Sequence, residues 1–132
     1  MPAKHLEASI RYPPAAAVIE LSGEINGFAE ETLNSAYTEV EAGDPEVILL
    51  NFEEVDYINS TGIALIVSLL ARARASKRRL LACGLSDHYV EIFNITRLSD
   101  FMNVYPDEES AISEASVSSG EVPSGGEVPD ER

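Results

Sequence analysis

The sequence predicts an α/β protein built on a mixed, mostly parallel β-sheet of about five strands with about four helices. Three observations predict it. From residue 16 onward, short apolar runs alternate with segments of helical spacing, and a strand–helix–strand unit favours a right-handed crossover between parallel strands. The first two apolar runs are separated only by Pro13-Pro14, which reads as a hairpin and supplies an antiparallel edge. In the middle of the chain, Val47-Ile48-Leu49-Leu50 is followed at close range by Ile63, Ile66, Val67, Leu70 and Ala73. A buried strand there hands over to an amphipathic helix.

Taken in order, Leu6–Tyr12 and Ala16–Leu21 are the two strands of the hairpin. Ser22-Gly23-Glu24-Ile25-Asn26-Gly27 reads as a loop, two glycines around a polar pair. From Phe28 to Glu41, Phe28, Ala29, Leu33, Ala36, Tyr37 and Val40 share one helical face, and Glu30 and Glu31 suit the positive end of that helix. Gly43-Asp44-Pro45 stops it. A strand at 46–51, a loop, and a helix from about 61 to 76 follow. Lys77-Arg78-Arg79 closes that helix and Leu80–Cys83 begins a strand. Ser86 caps a short helix to Phe93, Thr96–Asp100 turns, and Met102–Tyr105 is a short strand. A last helix runs from Asp107 to about Ala115. Ser116–Arg132 is Ser, Gly, Pro and Glu with little to bury, and Gly-Glu-Val-Pro occurs in it twice, at Gly120–Pro123 and Gly126–Pro129. Residues 1–115 are therefore expected to form one domain and 116–132 a disordered acidic tail.

The composition excludes several functions. A net charge of −14 opposes binding to nucleic acid phosphates or to an anionic membrane surface. The single cysteine, Cys83, rules out an internal disulfide, and its apolar setting suggests a buried, inert thiol. Neither a signal peptide nor a membrane-spanning run is evident, so a cytoplasmic location is expected. No nucleotide-binding glycine loop occurs and no cofactor is called for. A hydrolase would need a glycine before Ser60 and a placed histidine; only His5 and His88 are available. Glu53, Glu54 and Asp56 lack the further ligands a metal site requires, so no metal is expected. Five of the nine basic residues fall between Arg72 and Arg79. They either complement the end of the helix dipole, exposed and dispensable for folding, or form a docking patch for an acidic partner.

The chemistry-bearing stretch is Val55–Ile63. Asn59, Ser60 and Thr61 each have a short side chain able to cap a helix. The arrangement is either simply a well-capped helix or a hydroxyl presented at a helix N-terminus, where a phosphate is tolerated. Tyr57, just before it, fits either the core or a surface for a partner.

Three segments together resemble the STAS domains of bacterial anti-sigma factor antagonists. Leu21-Ser22-Gly23-Glu24-Ile25-Asn26 is similar to the family's L-x-G-E-[LI]-D loop, and Asn59-Ser60-Thr61-Gly62 to its D-S-[ST]-G loop. Ile95-Thr96-Arg97-Leu98 through Val104 and Ala111 is similar to its C-terminal pattern. The resemblance covers roughly residues 5–115 and implies a sheet with helices mainly on one face. It also implies a non-enzymatic switch. The antagonist binds an anti-sigma factor that is also a serine kinase, so that the sigma factor is freed. Phosphorylation at Ser60, with Thr61 the lesser candidate, then weakens the complex, and a serine phosphatase resets it. Glu24, Asn26, Tyr57, Asn59, Ser60, Thr61 and Gly62 are the partner-binding residues it implies, and a homodimer is compatible with it. Asn26 and Asn59 stand where the family has acids, and Arg97 where it has glycine. A different kinase, or a site that is not phosphorylated, are the alternatives these amides leave open. The competing functions are a non-switching scaffold or transporter accessory module, and a small-ligand sensor using space beside Gly23 and Gly62.

Overall fold

Period-two alternation divides the apolar residues of the strands between two faces of one sheet. The computed structural model describes residues 5–119. Five strands, β1 (Glu7–Arg11), β2 (Ala17–Ile25), β3 (Val47–Ile58), β4 (Arg79–Cys83) and β5 (Val104–Tyr105), lie side by side in chain order. β1 pairs antiparallel with β2 and the remaining pairs are parallel. The mixed sheet with an antiparallel edge is the one the sequence predicts.

Helices α1 (Glu30–Glu41), α2 (Ser60–Ala75) and α3 (Asp87–Ile95) connect β2 through β5. Each crossover steps the same way along the sheet, so all three cover one face. There Ala17, Ile19, Leu21, Ile48, Leu50, Phe52, Leu80 and Ala82 meet Leu33, Tyr37 and Val40 of α1, Ile66, Leu69, Leu70 and Ala73 of α2, and Tyr89 and Phe93 of α3. Helix α4 (Glu108–Ser119) lies alone on the other face, where Ala111 and Ala115 pack on Ala16, Val18, Val47, Leu49, Leu81 and Cys83. It runs past the expected end at Ala115 to Ser119; the rest of the expected tail, 120–132, lies outside the described residues. Burial pushes the Cys83 thiol up to about 12, so it is inert at neutral pH.

Small alanines alone would hold α4 weakly, and a polar anchor assists them. Asn51, the one buried polar residue in the described chain, donates from Nδ2 to Glu108 Oε1 at 3.0 Å, and Arg11 donates to the same oxygen. Arg11 also pairs with Glu20 at 2.7 Å, so the anchor ties the β1–β2 hairpin to α4.

The basic residues are not uniformly exposed. Arg72 donates to Glu41 at 2.7 Å and stacks over the Tyr37 ring. Arg78 donates to the Pro45 carbonyl at 2.7 Å and to Asp44 at 3.0 Å, with its side chain only 13% exposed. These two tie α2 and its exit to α1, so the expectation that all five cations are exposed fails for them. The cause is long-range packing: α1 ends beside α2.

Three residues other than glycine, Asp44 (φ 56), Lys77 (φ 61) and Arg97 (φ 67), follow the end of a helix in the left-handed conformation, where glycine fits without cost. The left-handed backbone costs a non-glycine residue about 1 kcal/mol, and the exposed Arg97–Asp100 pair returns only a few tenths. Arg97→Gly should therefore raise stability by roughly 0.5 kcal/mol in urea unfolding.

The anchor of α4 sets a pH dependence. The hydrogen bond from Arg11, and after it the one from Asn51, hold the Glu108 carboxyl below its ordinary value against the opposing effect of burial. A depressed folded-state pKa gives stability that is present above the unfolded carboxylate range and lost as pH falls from there through the lower folded-state value. Glu108→Gln should remove that part of the acid-side slope when unfolding is followed by urea at stepped pH, leaving other carboxylates to supply the rest.

Candidate functional site

β2 and β3 continue together beyond the point where β4 leaves the sheet. β4 pairs with β3 only from Val47 to Asn51, and Gly84 (φ +80) then turns the chain away with its α-carbon against Glu53. The stretches 22–25 and 53–58, expected as loops, are strand. Polar residues suggested loops because no second layer covers this ribbon on its outer side, so its exposed positions need not be apolar. β3 also carries an extra residue at two points, between the pairs Glu20↔Asn51 and Ser22↔Glu54 and between Gly23↔Val55 and Glu24↔Tyr57. Such bulges break the alternation that identifies a strand.

The ribbon ends at the pair Ile25↔Ile58, and an asparagine turns each chain. Asn26 Oδ1 accepts from the Phe28 N–H at 2.9 Å and caps a 3₁₀ turn, Gly27–Ala29. Asn59 Oδ1 accepts from the Gly62 N–H at 2.8 Å and caps α2. A cap of this kind is worth about 1 kcal/mol, and asparagine serves as well as aspartate. The two amides therefore keep the turns that acids would make while removing two negative charges. Asn59, not Ser60, is the cap of α2, so Ser60→Ala takes away no cap.

A backbone contact locks the two turns together: the Asn59 N–H donates to the Ile25 carbonyl at 3.1 Å. The neighbouring Ile58 N–H donates to Tyr89 Oη of α3 at 2.9 Å. A β-carbon on Gly62 would lie 2.1 Å from the Ile25 oxygen, so α2 can start here only with glycine in its first turn. A β-carbon on Gly23 would likewise lie 2.5 Å from the His5 carbonyl oxygen. Backbone thus occupies the space expected beside these glycines for a small ligand. A cavity of about 340 Å³ exists instead over Glu20, Asn51 and Glu53, on the face of α4.

Ser60 and Thr61 are exposed in the first turn of α2. Asn59, Asn26 and Glu24 are half-buried around them. Tyr57 is 49% exposed, so it is a surface residue, and it sits opposite Glu24 in the ladder. Gly62 is buried, which gives it a role in the approach of α2 to β2 and none on the surface. Phe28 was expected on the buried face of α1 but is 89% exposed. Residues 27–29 form a 3₁₀ turn, whose three-residue repeat does not continue the helical face. The 3₁₀ turn packs beside α2, with Thr61 Cγ2 the nearest neighbour of Gly27, 3.7 Å from where a β-carbon would be. Exposed Phe28 and exposed Tyr57 thus lie on the two chain segments that adjoin the first turn of α2.

The electrostatics at this end are one-sided. Glu24, Glu30, Glu31 and Asp56 belong to its elements, whereas the described arginines and lysine lie on β1, at or after the far end of α2, at the start of β4 or after α3.

The family model described as STAS domain matches residues 7–111. The chain belongs to the STAS-domain family. This STAS domain is 30% identical over 86 residues to the anti-sigma-B factor antagonist of Staphylococcus aureus (strain NCTC 8325 / PS 47), covering 65% of the chain and 80% of that relative. Its fold is similar to that of the anti-sigma factor antagonist SpoIIAA in its unphosphorylated form, with a TM-score of 0.67 and 24% identity over 88% of this chain and 99% of that one. It is also similar to the Bacillus cell fate determinant SpoIIAA in the phosphorylated form, with a TM-score of 0.63 and 23% identity over 81% and 97% of the two chains. Among the described residues, no helix of the STAS domain is long and apolar enough to cross a membrane.

The close approach at Gly62 gives a test of how the site is built. Gly62→Ala adds helix propensity, yet its methyl group would enter the Ile25 carbonyl, which is backbone and cannot rotate away. Overpacking of this kind costs about 1–3 kcal/mol, so the variant should melt at lower temperature than wild type despite the better helix former.

Proposed function

We propose that this STAS domain is an anti-sigma factor antagonist whose binding surface is the end of the molecule around Ser60, and that phosphorylation of Ser60 weakens binding. The observation that carries this is the exposure of Ser60 in the first turn of α2, with exposed Phe28 and Tyr57 on the adjoining segments. Large aromatic side chains are the residues that most often anchor a protein interface. The names of the similar antagonists support the class of partner, an anti-sigma factor, and the phosphorylated neighbour supports the modification. The partner is then also the serine kinase, and a serine phosphatase reverses the step. On this reading the domain works by binding and catalyses nothing itself.

The physical consequence of the phosphate follows from its position. It adds roughly −1.5 to −2 charges. Free N–H groups and the positive end of the α2 dipole accommodate those charges within the domain. The described cations lie elsewhere, so none neutralises the new charge locally, and it is projected toward whatever covers Phe28 and Tyr57. An interface fitted to a neutral hydroxyl must then desolvate an anion, which is costly. A hundredfold loss of affinity requires only about 2.8 kcal/mol. The amides at Asn26 and Asn59 make the unmodified surface less acidic than a pair of carboxylates would, so the contrast between the two states is larger.

Two measurements test this. Incubation with candidate anti-sigma kinases and ATP should place a phosphate on the peptide containing Ser60 by mass spectrometry. Calorimetry should show Ser60→Ala binding the anti-sigma partner like wild type and Ser60→Glu binding it at least about a hundredfold more weakly, with an unchanged circular dichroism spectrum. Wild-type affinity in the Glu variant would leave a non-switching scaffold as the function.

A further inference from the structure

Beyond Asn51 one edge of β3 has no strand beside it among the described residues, because β4 pairs only from Val47 to Asn51. Buried backbone N–H groups on that edge still need acceptors. Two side chains supply them. Asn51 Oδ1 accepts from the Glu53 N–H at 2.9 Å, where the unpaired edge begins. Tyr89 Oη accepts from the Ile58 N–H at 2.9 Å, where it ends. Ile58 is 5% exposed and Tyr89 8%, so this second bond is shielded from water.

The connection from β4 to α3 brings the phenol to this place. Gly84 passes against β3, where a β-carbon would lie 2.8 Å from the Glu53 nitrogen. Ser86 then caps α3, its Oγ accepting from the Tyr89 N–H at 3.4 Å. Tyr89 thus stands in the first turn of α3, and its ring belongs to the core that also holds Ile58. As a result, two successive peptides leading to Ser60 are held from opposite sides. The N–H groups of a strand alternate between its two edges. The Asn59 N–H reaches β2 through the Ile25 carbonyl, and the Ile58 N–H reaches α3 through Tyr89. The peptide that carries the Ile58 N–H also carries the Tyr57 carbonyl, so the bond to Tyr89 orients the chain on both sides of the turn.

We infer that Tyr89 is a positioning residue for the Ser60 site: its hydroxyl replaces the strand that β4 does not supply and fixes the direction in which the chain enters α2. The inference rests on the reading of Ser60 as the phosphorylated residue. In that step Ser60 Oγ bonds the γ-phosphorus of ATP held by the kinase, gives its proton to a base of the kinase and releases ADP. Transfer needs the hydroxyl in line with the phosphorus, and a misplacement of about 1 Å costs about a hundredfold in rate. Tyr89 is buried and acts on the hydroxyl only through the Ile58 peptide. A turn left to fray at that peptide would present Ser60 in many directions, few of them productive.

The test uses the full chain. Tyr89→Phe keeps the ring and removes the acceptor. Glu108→Gln is the comparison, a change at the α4 anchor on the other face of the sheet. In the wild-type chain the Ile58 amide should be protected from hydrogen exchange although no strand pairs with it on that edge. In Tyr89→Phe it should exchange about tenfold faster relative to Ile48 and Leu50, and its proton resonance should move upfield. With the kinase that phosphorylates the wild-type chain, kcat/KM for Ser60 should fall at least about tenfold in Tyr89→Phe and keep its wild-type value in Glu108→Gln. An unprotected Ile58 amide in the wild type would overturn the proposal, and so would exchange at Ile58 that Tyr89→Phe leaves unchanged. Wild-type kcat/KM in Tyr89→Phe, or an equal loss in both variants, would overturn it as well. If the wild-type chain takes no phosphate at Ser60, it is the proposed modification that fails, and the Ile58 exchange then decides by itself whether Tyr89 holds the turn.

Discussion

Everything at the Ser60 end depends on how closely the first turn of α2 approaches the end of β2. The Ile25 carbonyl accepts the Asn59 N–H and faces the bare α-carbon of Gly62. With those contacts in place, two turns from distant parts of the chain share one rigid platform. One carries Asn26 and Phe28, the other Asn59 and Ser60. A side chain at Gly62 would push α2 outward, and the hydroxyl, the caps and the aromatic pair would lose their common frame. The serine is presented by backbone contacts far more than by its own side chain.

The sheet serves the same arrangement. Three crossovers of one hand put α1, α2 and α3 on one face, and the ribbon of β2 and β3 lifts its tip clear of β4. The tip is then free for a partner, while the lower part of the sheet is buried from both sides. Helix α4 closes the second face with little more than alanines, so it needs the Asn51–Glu108–Arg11 anchor to fix its position. The two ends of the molecule differ in charge as a result of where the elements end. Acids accompany the N-termini of α1 and the tip of the ribbon, and cations the end of α2.

Particular residues show where sequence patterns carry information and where they lose it. Leu33, Tyr37 and Val40, or Ile66, Leu70 and Ala73, are legible because a helix buried on one side must repeat every 3.6 residues. Residues 53–57 are not legible as strand: two bulges break their period, and the ribbon has no cover to demand apolar side chains. Phe28 is misplaced for a related reason, since a single 3₁₀ turn before α1 shifts the phase of the pattern. Arg72 and Arg78 look like any other helix-end cations until the end of α1 is known to lie beside them.

The sequence by itself determined the fold class, the order of the elements, the junction at which Ser60 stands and the three segments that mark the STAS family, because local periodicity, capping chemistry and glycine spacing are written in neighbouring residues. Only the tertiary structure decided which of Asn59, Ser60 and Thr61 is the cap. It alone settled whether Tyr57 faces the core or the solvent, why Gly62 must be glycine, and which carboxylates Arg72 and Arg78 pair with. Each of those depends on contacts between residues far apart in the chain, such as Ile25 with Gly62 and Glu41 with Arg72, and no local pattern records which distant group will arrive.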